Sequence, residues 1–212
     1  MDENRVKRNE LLAATVIKGL ESRNIKGYYA ATREEALHMA LELIPQGSSI
    51  SWGGSMSIQE IGLKQAVLEG NYRVYNRDAA ETPEERHKIE MAVYDADFYL
   101  TSSNAVTQDG ILVNIDGNSN RVSAIAYGPR HVLMIVGMNK ICRDVDAAIS
   151  RARGEAATCN AQRFPIQTPC KTTGTCADCK SPDTICCQFL TTRFSRHTGR
   201  IQVILVGEDL GF

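Results

Sequence analysis

The stretch "ISWGGSMSIQEIGL", residues 50–63, decides the fold, because it reads as a strand, a glycine turn and then a helix. The apolar run "SSISW" is typical of a buried strand, and Gly53-Gly54 follows it directly. Ser57 and Glu60 form the Ser-x-x-Glu pattern of a capping box, so we expect the helix to begin directly after Ser57. A strand that passes through glycines into a helix is half of a βαβ unit.

Strands and helices alternate on both sides of this stretch. Upstream, "KGYYAA" predicts a strand, and a helix capped by Thr32 ends before Pro45. Downstream, "MSIQEIGLKQAVLEG" and "TPEERHKIEMAVYDA" predict helices, while "YRVYN" and "DFYLTS" predict strands. Such alternation predicts an α/β fold with a mainly parallel sheet flanked by helices. "AVTQDGILVNID", "RVSAIAY" and "HVLMIVG" add a mixed β region with turns between its strands.

Length and composition predict one domain over residues 1–212. Apolar residues make up 43% of the chain and charged residues 23%, which suits a soluble globular core. One segment, about residues 165–187, differs from the rest because it is rich in Cys, Thr and Pro. It is too short to fold independently, so we place it within the single domain.

The charge pattern excludes several classes of partner. The net charge is −1, so no general basic surface favours nucleic acid or an anionic membrane. No run of about 18 apolar residues is present to span a membrane, and the start "MDENRVKRNELLAATVIKGL" lacks the apolar core of a signal peptide. We therefore expect a cytoplasmic protein, in which cysteines are thiols or metal ligands rather than disulfides. A homo-oligomer is compatible with this composition.

The glycine turn predicts an anion pocket. Glycine lets a ligand approach bare backbone, and the first amides of a helix are unpaired and carry partial positive charge. Gly53, Gly54, Ser55 and Ser57 are the candidate ligand-binding residues at this turn. The pattern is neither G-x-G-x-x-G nor a P-loop. The alternative is a turn that requires glycine for its shape and binds nothing.

Polar residues follow the ends of other predicted strands. In parallel sheets the carboxyl ends of strands meet at one edge, where ligands bind. We expect these residues to converge with the glycine turn on one crevice suited to an anionic substrate, with Asp116 and Lys140 as catalytic acid–base candidates. Many of them are also common turn formers, which is the simpler alternative. The candidate ligand-binding residues of this group are Asn104, Asn114, Asp116, Asn118, Arg121, Asn139 and Lys140.

Three motifs in order, "SWGGSMSIQEIGL", "TSSNAVTQDGILVNIDGNSNRVSAIAYGP" and "VGMNKI", resemble the LUD domain family, whose members are similar to lactate utilization protein C. The resemblance covers nearly the whole chain. It implies a fold similar to the sugar-isomerase and CoA-transferase group, with the ligand crevice at strand ends. It also implies a subunit or accessory protein in oxidation of L-lactate or a related organic acid, alongside iron–sulfur or flavin-type partner proteins.

Two other functions stay open. A sugar-phosphate isomerase or CoA-transferase-like enzyme fits the implied fold, but "NIDGNSNR" only echoes the isomerase Asp-Gly-Ala-Asp pattern, and the transferase glutamate motif is absent from the sequence. The other alternative is a redox or regulatory module based on metal. Whether this chain is an enzyme is left open.

The segment "CKTTGTCADCKSPDTICC" predicts a metal site. Cys176 and Cys179 form a Cys-x-x-Cys turn, and Cys170 and Cys186 complete a set of four thiols, with Cys187 extra. Four thiolates suit structural zinc or an Fe–S cluster, although the spacing is not that of ferredoxins. A reduced loop, or a redox pair at Cys176 and Cys179, is the alternative.

Overall fold

A computed structural model describes residues 2–212. Within these residues the helices are α1 (Glu3–Ser22), α2 (Arg33–Leu43), α3 (Met56–Glu60), α4 (Leu63–Glu69), α5 (Pro83–Ala92), α6 (Asn120–Ala126), α7 (Val145–Arg151), α8 (Ala157–Ala161) and α9 (Pro169–Thr173). The strands are β1 (Lys26–Ala30), β2 (Ser49–Trp52), β3 (Arg73–Val74), β4 (Phe98–Thr101), β5 (Ala105–Thr107), β6 (Leu112–Asp116), β7 (His131–Gly137), β8 (Ile141–Cys142), β9 (Gln188–Thr192) and β10 (Ile201–Val206). None of the described helices has the length and apolar character needed to cross a membrane.

Six strands form one sheet in the order β1-β10-β7-β4-β2-β3, and every neighbouring pair is parallel. The central strands β7 and β10 are apolar and buried almost throughout, as expected for a sheet covered on both faces. Because the side-chain period of a strand is two, the buried residues alternate between the faces. On β7, Val132 and Met134 pack on one face, and Leu133 and Ile135 on the other. The predicted α/β fold with a mainly parallel sheet is confirmed.

Different elements cover the two faces of this sheet. Helices α2, α3 and α4 bury Ala36, Ile58 and Leu63 against one face. Helix α1 and the second sheet cover the other face, where Leu20 and Val106 belong to the same apolar cluster. The long helix α1 begins at an Asp2 cap, whose carboxylate accepts two backbone N–H groups of the first turn.

The second sheet is mixed and has the order β8-β5-β6-β9. Strand β5 pairs parallel with β8 and antiparallel with β6, and β9 pairs antiparallel with β6. Its outer face packs Val113 and Ile115 against Ala148 and Ala152 of the helical stretch that begins with α7. Only part of the expected mixed β region lies in this sheet, because "AVTQDGILVNID" forms β5 and β6 whereas "HVLMIVG" forms β7 of the parallel sheet. Strand β9 has no clear signal in the sequence.

The interpretation of "RVSAIAY" as a strand is wrong, because these residues form most of α6. The Asp116 carboxylate accepts the backbone N–H groups of Arg121 at 2.9 Å and Val122 at 3.1 Å, which satisfies free donors at the helix start. Val122 and Ile125 are both buried, at a helical spacing of three. This segment, in which Val122 and Ile125 are β-branched, is therefore helical because of its cap and its packing.

The helix after the glycine turn is also not continuous. It divides into α3 and α4 at Gly62, whose φ of 78° lies in the left-handed region. Its cap is Ser55, whose Oγ accepts the N–H of Ile58 at 3.4 Å, so the predicted capping role of Ser57 is wrong. Ser57 is instead buried inside the first turn.

Candidate functional site

A crevice lies at the carboxyl ends of β2, β4 and β7, which are neighbours in the six-stranded sheet. Gly53 and Gly54 follow β2, Ser102 follows β4, and Lys140 follows β7 by a short turn. All of these residues line one cavity of about 680 Å³. The volume lies in the range of ordinary small-molecule sites.

Residues outside the six-stranded sheet form another wall of the crevice. One part of that wall is the turn after β6, with Asp116 and Asn118. The other part comes from the cysteine-rich segment and its approach, residues 163–166 and 182–185. Eight of the eleven predicted ligand-binding residues line the cavity: Gly53, Gly54, Ser55, Asn104, Asp116, Asn118, Arg121 and Lys140.

The other three predicted residues lie behind the cavity wall. Ser57 has its Oγ 3.0 Å from Nζ of Lys140. Asn114 is fully buried, and its Oδ1 accepts a hydrogen bond from Arg121 at 2.7 Å. Asn139 accepts the N–H of Leu210 at 3.1 Å, which ties the last residues of the chain to the site. These residues support those that face the crevice.

Lys140 is the most unusual charged group of the site. The residue is 4% exposed, and its Nζ lies 3.0 Å from Oγ of Ser57 and 3.1 Å from Oγ of Ser102. Burial lowers the pKa of Lys140 to about 7, and the nearby charges of Arg151 and Arg121 act in the same direction. Near neutral pH this amine can therefore both accept and release a proton.

Arg121 stabilises the crevice wall through several hydrogen bonds. Its guanidinium donates to Oδ1 of Asn114 at 2.7 Å, Oδ1 of Asn104 at 3.0 Å and the carbonyl of Ile115 at 2.7 Å. It also lies 3.5 Å from a carboxylate oxygen of Asp116. Since most of its donors are already used, Arg121 holds the amides and the carboxylate in place.

Asp116, the second acid–base candidate, is equally engaged. One carboxylate oxygen caps α6 and the other faces Arg121. These contacts favour a positioning role for Asp116. The Nζ of Lys140 donates to two serine hydroxyls and is the stronger candidate for proton transfer.

The two glycines of the turn serve different purposes. A Cβ at Gly53 would lie 2.7 Å from the Tyr99 hydroxyl and 2.9 Å from Cδ of Arg121, so the chain needs glycine there for close packing. A Cβ at Gly54 would meet only Nη2 of Arg77, at 3.9 Å. Gly54 is therefore open towards the crevice and beside a cation.

Sequence reasoning missed Arg77, which lines the crevice beside Gly54. Its side chain is 14% exposed and lies 3.6 Å from the Glu90 carboxylate. Within residues 2–212, its Nε is buried without a hydrogen-bond partner. The signal was present, because Arg77 follows the predicted strand "YRVYN" just as Gly53 follows "SSISW". Arg86 was also missed.

The cysteine-rich segment encloses a second, smaller cavity of about 70 Å³. The four predicted metal ligands, Cys170, Cys176, Cys179 and Cys186, all line it. Burial raises the pKa of the Cys186 thiol to about 11, and charge on the other three thiols acts in the same direction. All seven cysteines of the chain are free thiols, and the other three lie outside this cavity.

Comparisons with known proteins agree with this architecture. The sequence matches the model of the LUD domain family over residues 13–206. The fold is similar to the crystal structure of a DUF162 family protein from Deinococcus radiodurans, with a TM-score of 0.55 at 11% identity. That match covers 93% of this chain and 98% of the other. No curated protein matches the chain.

Proposed function

The chain belongs to the LUD domain family, which is associated with lactate utilization, and from this premise we propose that its crevice binds L-lactate or a related small organic acid for oxidation. The observation that carries the proposal is a buried amine that titrates near neutral pH, Lys140, at the carboxyl ends of three neighbouring parallel strands. Ligands of open α/β sheets bind at this edge. The chain would act as a subunit or accessory protein of the oxidation system.

Arg77 is the proposed partner of the substrate carboxylate. Its Nη2 lies 3.9 Å from where a Cβ of Gly54 would be, and its Nε makes no hydrogen bond within residues 2–212, with a carboxylate oxygen of Asp78 3.9 Å away. A guanidinium presents a planar fork that matches a carboxylate with two parallel hydrogen bonds. A ligand carboxylate next to Gly54 would meet Nη2 of Arg77, the guanidinium atom that faces this glycine.

Lys140 is the proposed proton acceptor. Oxidation of a 2-hydroxy acid to a 2-keto acid removes two electrons and two hydrogens from the substrate. With its pKa near 7, the neutral amine can take the hydroxyl proton. The hydrogen on the carbon that bears this hydroxyl would be transferred as hydride to a flavin-type group of a partner protein, and iron–sulfur partners would take up the electrons.

The size of the crevice supports such a partner. A three-carbon acid occupies roughly 100 Å³ when scaled from the ~30 Å³ of a water molecule. The cavity of about 680 Å³ is several times larger. Room remains for a group of the partner protein that accepts electrons.

Calorimetric titration with L-lactate, pyruvate, inorganic phosphate and neutral glycerol tests the proposal. We expect saturable binding of the two carboxylates and none of glycerol. Arg77→Gln should weaken binding by about 10- to 100-fold, since a hydrogen bond to a charged group contributes ~1.5–3 kcal/mol. Gly54→Val should also weaken binding, because the new side chain enters the crevice beside Arg77 without meeting backbone.

Arg130→Gln is the matched control, because Arg130 is 75% exposed and lies outside the crevice. It should bind as the unmodified chain does, and all three variants should keep a similar Tm. Equal affinity of Arg77→Gln and Arg130→Gln would refute the carboxylate site. Preference for phosphate over both carboxylates would instead favour the sugar-phosphate alternative.

A further inference from the structure

We propose that Cys170, Cys176, Cys179 and Cys186 bind a [4Fe–4S] cluster in the small cavity of the cysteine-rich segment. Each thiolate would bind one iron. The proposal rests on the placement of these thiols and does not depend on the ligand of the crevice.

Four of the seven cysteines line the cavity. The proposed ligands come from α9, from the loop after it and from the residues before β9, yet all face the same enclosed space of about 70 Å³. Cys187 is adjacent to a proposed ligand in sequence but is exposed and outside the cavity. Cys186 and Cys187 are neighbours in sequence, yet only Cys186 lines the cavity. The difference therefore comes from the three-dimensional arrangement.

The position of the four thiols around one cavity favours a cluster over a single ion. Tetrahedral zinc with Zn–S bonds of ~2.3 Å requires sulfurs about 3.8 Å apart. Among residues 2–212, no group of three or more Cys, His, Asp or Glu side chains is close enough together to hold a metal ion directly. The four thiols instead surround a cavity. A cubane cluster suits thiols that line a cavity, because each thiolate binds a different iron at a separate corner.

The surroundings of the cavity suit an anionic cluster. Arg153, which also pairs with the Asp178 carboxylate, donates to Sγ of Cys176 at 3.6 Å, and the Thr168 hydroxyl lies 3.3 Å from Sγ of Cys170. Hydrogen bonds and positive charge near the sulfurs stabilise and tune Fe–S clusters. Phe189 and Ile185 close the cavity with apolar surface.

The cluster would lie directly behind the crevice. Thr184 and Ile185 line both cavities, so one layer of residues separates them. Two contacts connect the cysteine-rich segment to the crevice wall. Cα of Ile185 lies 3.1 Å from where a Cβ of Gly117 would be, and the Cys187 N–H donates to the Asp116 carbonyl at 2.9 Å. A redox centre at this position is next to the proposed substrate site.

Metal analysis of the full chain tests the proposal, after anaerobic purification and after reconstitution with ferric iron, a thiol reductant and sulfide. We expect about four iron atoms and four acid-labile sulfides per chain, with a broad visible absorption band that dithionite bleaches. Cys176→Ala and Cys179→Ala should lose the band and most of the iron. The matched controls Cys159→Ala and Cys187→Ala should retain both.

Limited trypsin digestion supplies a second readout that needs no activity. Lys171 and Lys180 lie between the proposed ligands, so loading should protect both from cleavage and chelation should expose them. One zinc without sulfide would overturn the proposal. So would a lack of iron after reconstitution of the folded chain, or full iron retention in the Cys176→Ala/Cys179→Ala double variant.

Discussion

At the scale of single residues, the buried amine of Lys140 is the group on which the chemistry of the crevice depends. Its environment comes from distant parts of the chain, since Ser57 follows β2 and Ser102 follows β4. Burial disfavours the charged form, and Arg151 and Arg121 disfavour it further. The result is an amine that titrates near neutral pH rather than near its usual pKa of 10.5.

The titration of Lys140 predicts a pH-dependent stability. The folded pKa is about 7 and the unfolded value is 10.5, so between these values the unfolded chain binds more protons. The free energy of unfolding should therefore rise with pH across this window, with a contribution from Lys140 of up to ~1.4 kcal/mol per pH unit. Below pH 7 the full cost of burying the charged amine is present.

Urea unfolding of the unmodified chain and of Lys140→Met from pH 7 to 10 checks this. Methionine keeps the volume without titrating, so the stability difference between the two chains should change steadily in favour of the unmodified chain. Parallel stability curves would show that Lys140 titrates at its usual pKa in the folded protein.

At the scale of elements, the break between α3 and α4 positions the crevice. Gly62 takes a φ of 78°, and this ends α3 one turn after the glycine turn. The short α3 therefore presents Ser57 to Lys140, while α4 turns away to pack Leu63 and Val67 in the core. A single straight helix would not provide both contacts.

Replacing Gly62 with alanine should destabilise the protein by about 1–2 kcal/mol, because a Cβ is disfavoured in the left-handed region. For a chain of this size the Tm should fall by roughly 2–4 °C per kcal/mol. Gly154→Ala is the control. Gly154 lies in the helical stretch after α7, and a Cβ there would meet nothing within 4 Å.

The control substitution should leave the Tm unchanged or raise it, since alanine is the better helix former. Calorimetric scans of both variants are sufficient. An unchanged Tm for Gly62→Ala would mean that the break between α3 and α4 can relax at little cost.

At the scale of the whole molecule, the six-stranded sheet and the cysteine-rich segment build one crevice together. The sheet contributes the strand ends with Gly54 and Lys140, and the segment contributes Thr184 and Ile185. The same two residues line the thiol cavity. A change in the conformation of the cysteine-rich segment should therefore also change the wall of the crevice.

From this link we predict that loss of the proposed cluster weakens ligand binding. Cys179→Ala should lower the affinity for L-lactate by about tenfold, equivalent to ~1.4 kcal/mol, because the wall at Thr184 and Ile185 loses its support. Cys187→Ala, which leaves the cavity intact, should bind normally. Calorimetric titration of both variants measures the effect. If Cys179→Ala lacked the cluster but bound L-lactate with the same affinity as Cys187→Ala, the crevice wall would not depend on the cluster.

Local pattern was enough to predict most of the fold and the position of the crevice. Alternation of apolar strands with capped helices implies parallel strands, and parallel strands bring their carboxyl ends to one edge. For that reason the sequence alone places Gly54, Asn104 and Lys140 near one another, and all three line the crevice. These inferences depend only on periodicity, caps and turn residues within a few positions along the chain.

Only the tertiary structure decided which of those residues are free to act. Local patterns do not contain the pairing of Arg121 with Asp116, the burial of Lys140 or the placement of Arg77 beside Gly54. The same holds for α6, whose β-branched sequence becomes helical through the cap from Asp116. Each depends on contacts between segments far apart in the chain, because burial and pairing are properties of the packed molecule.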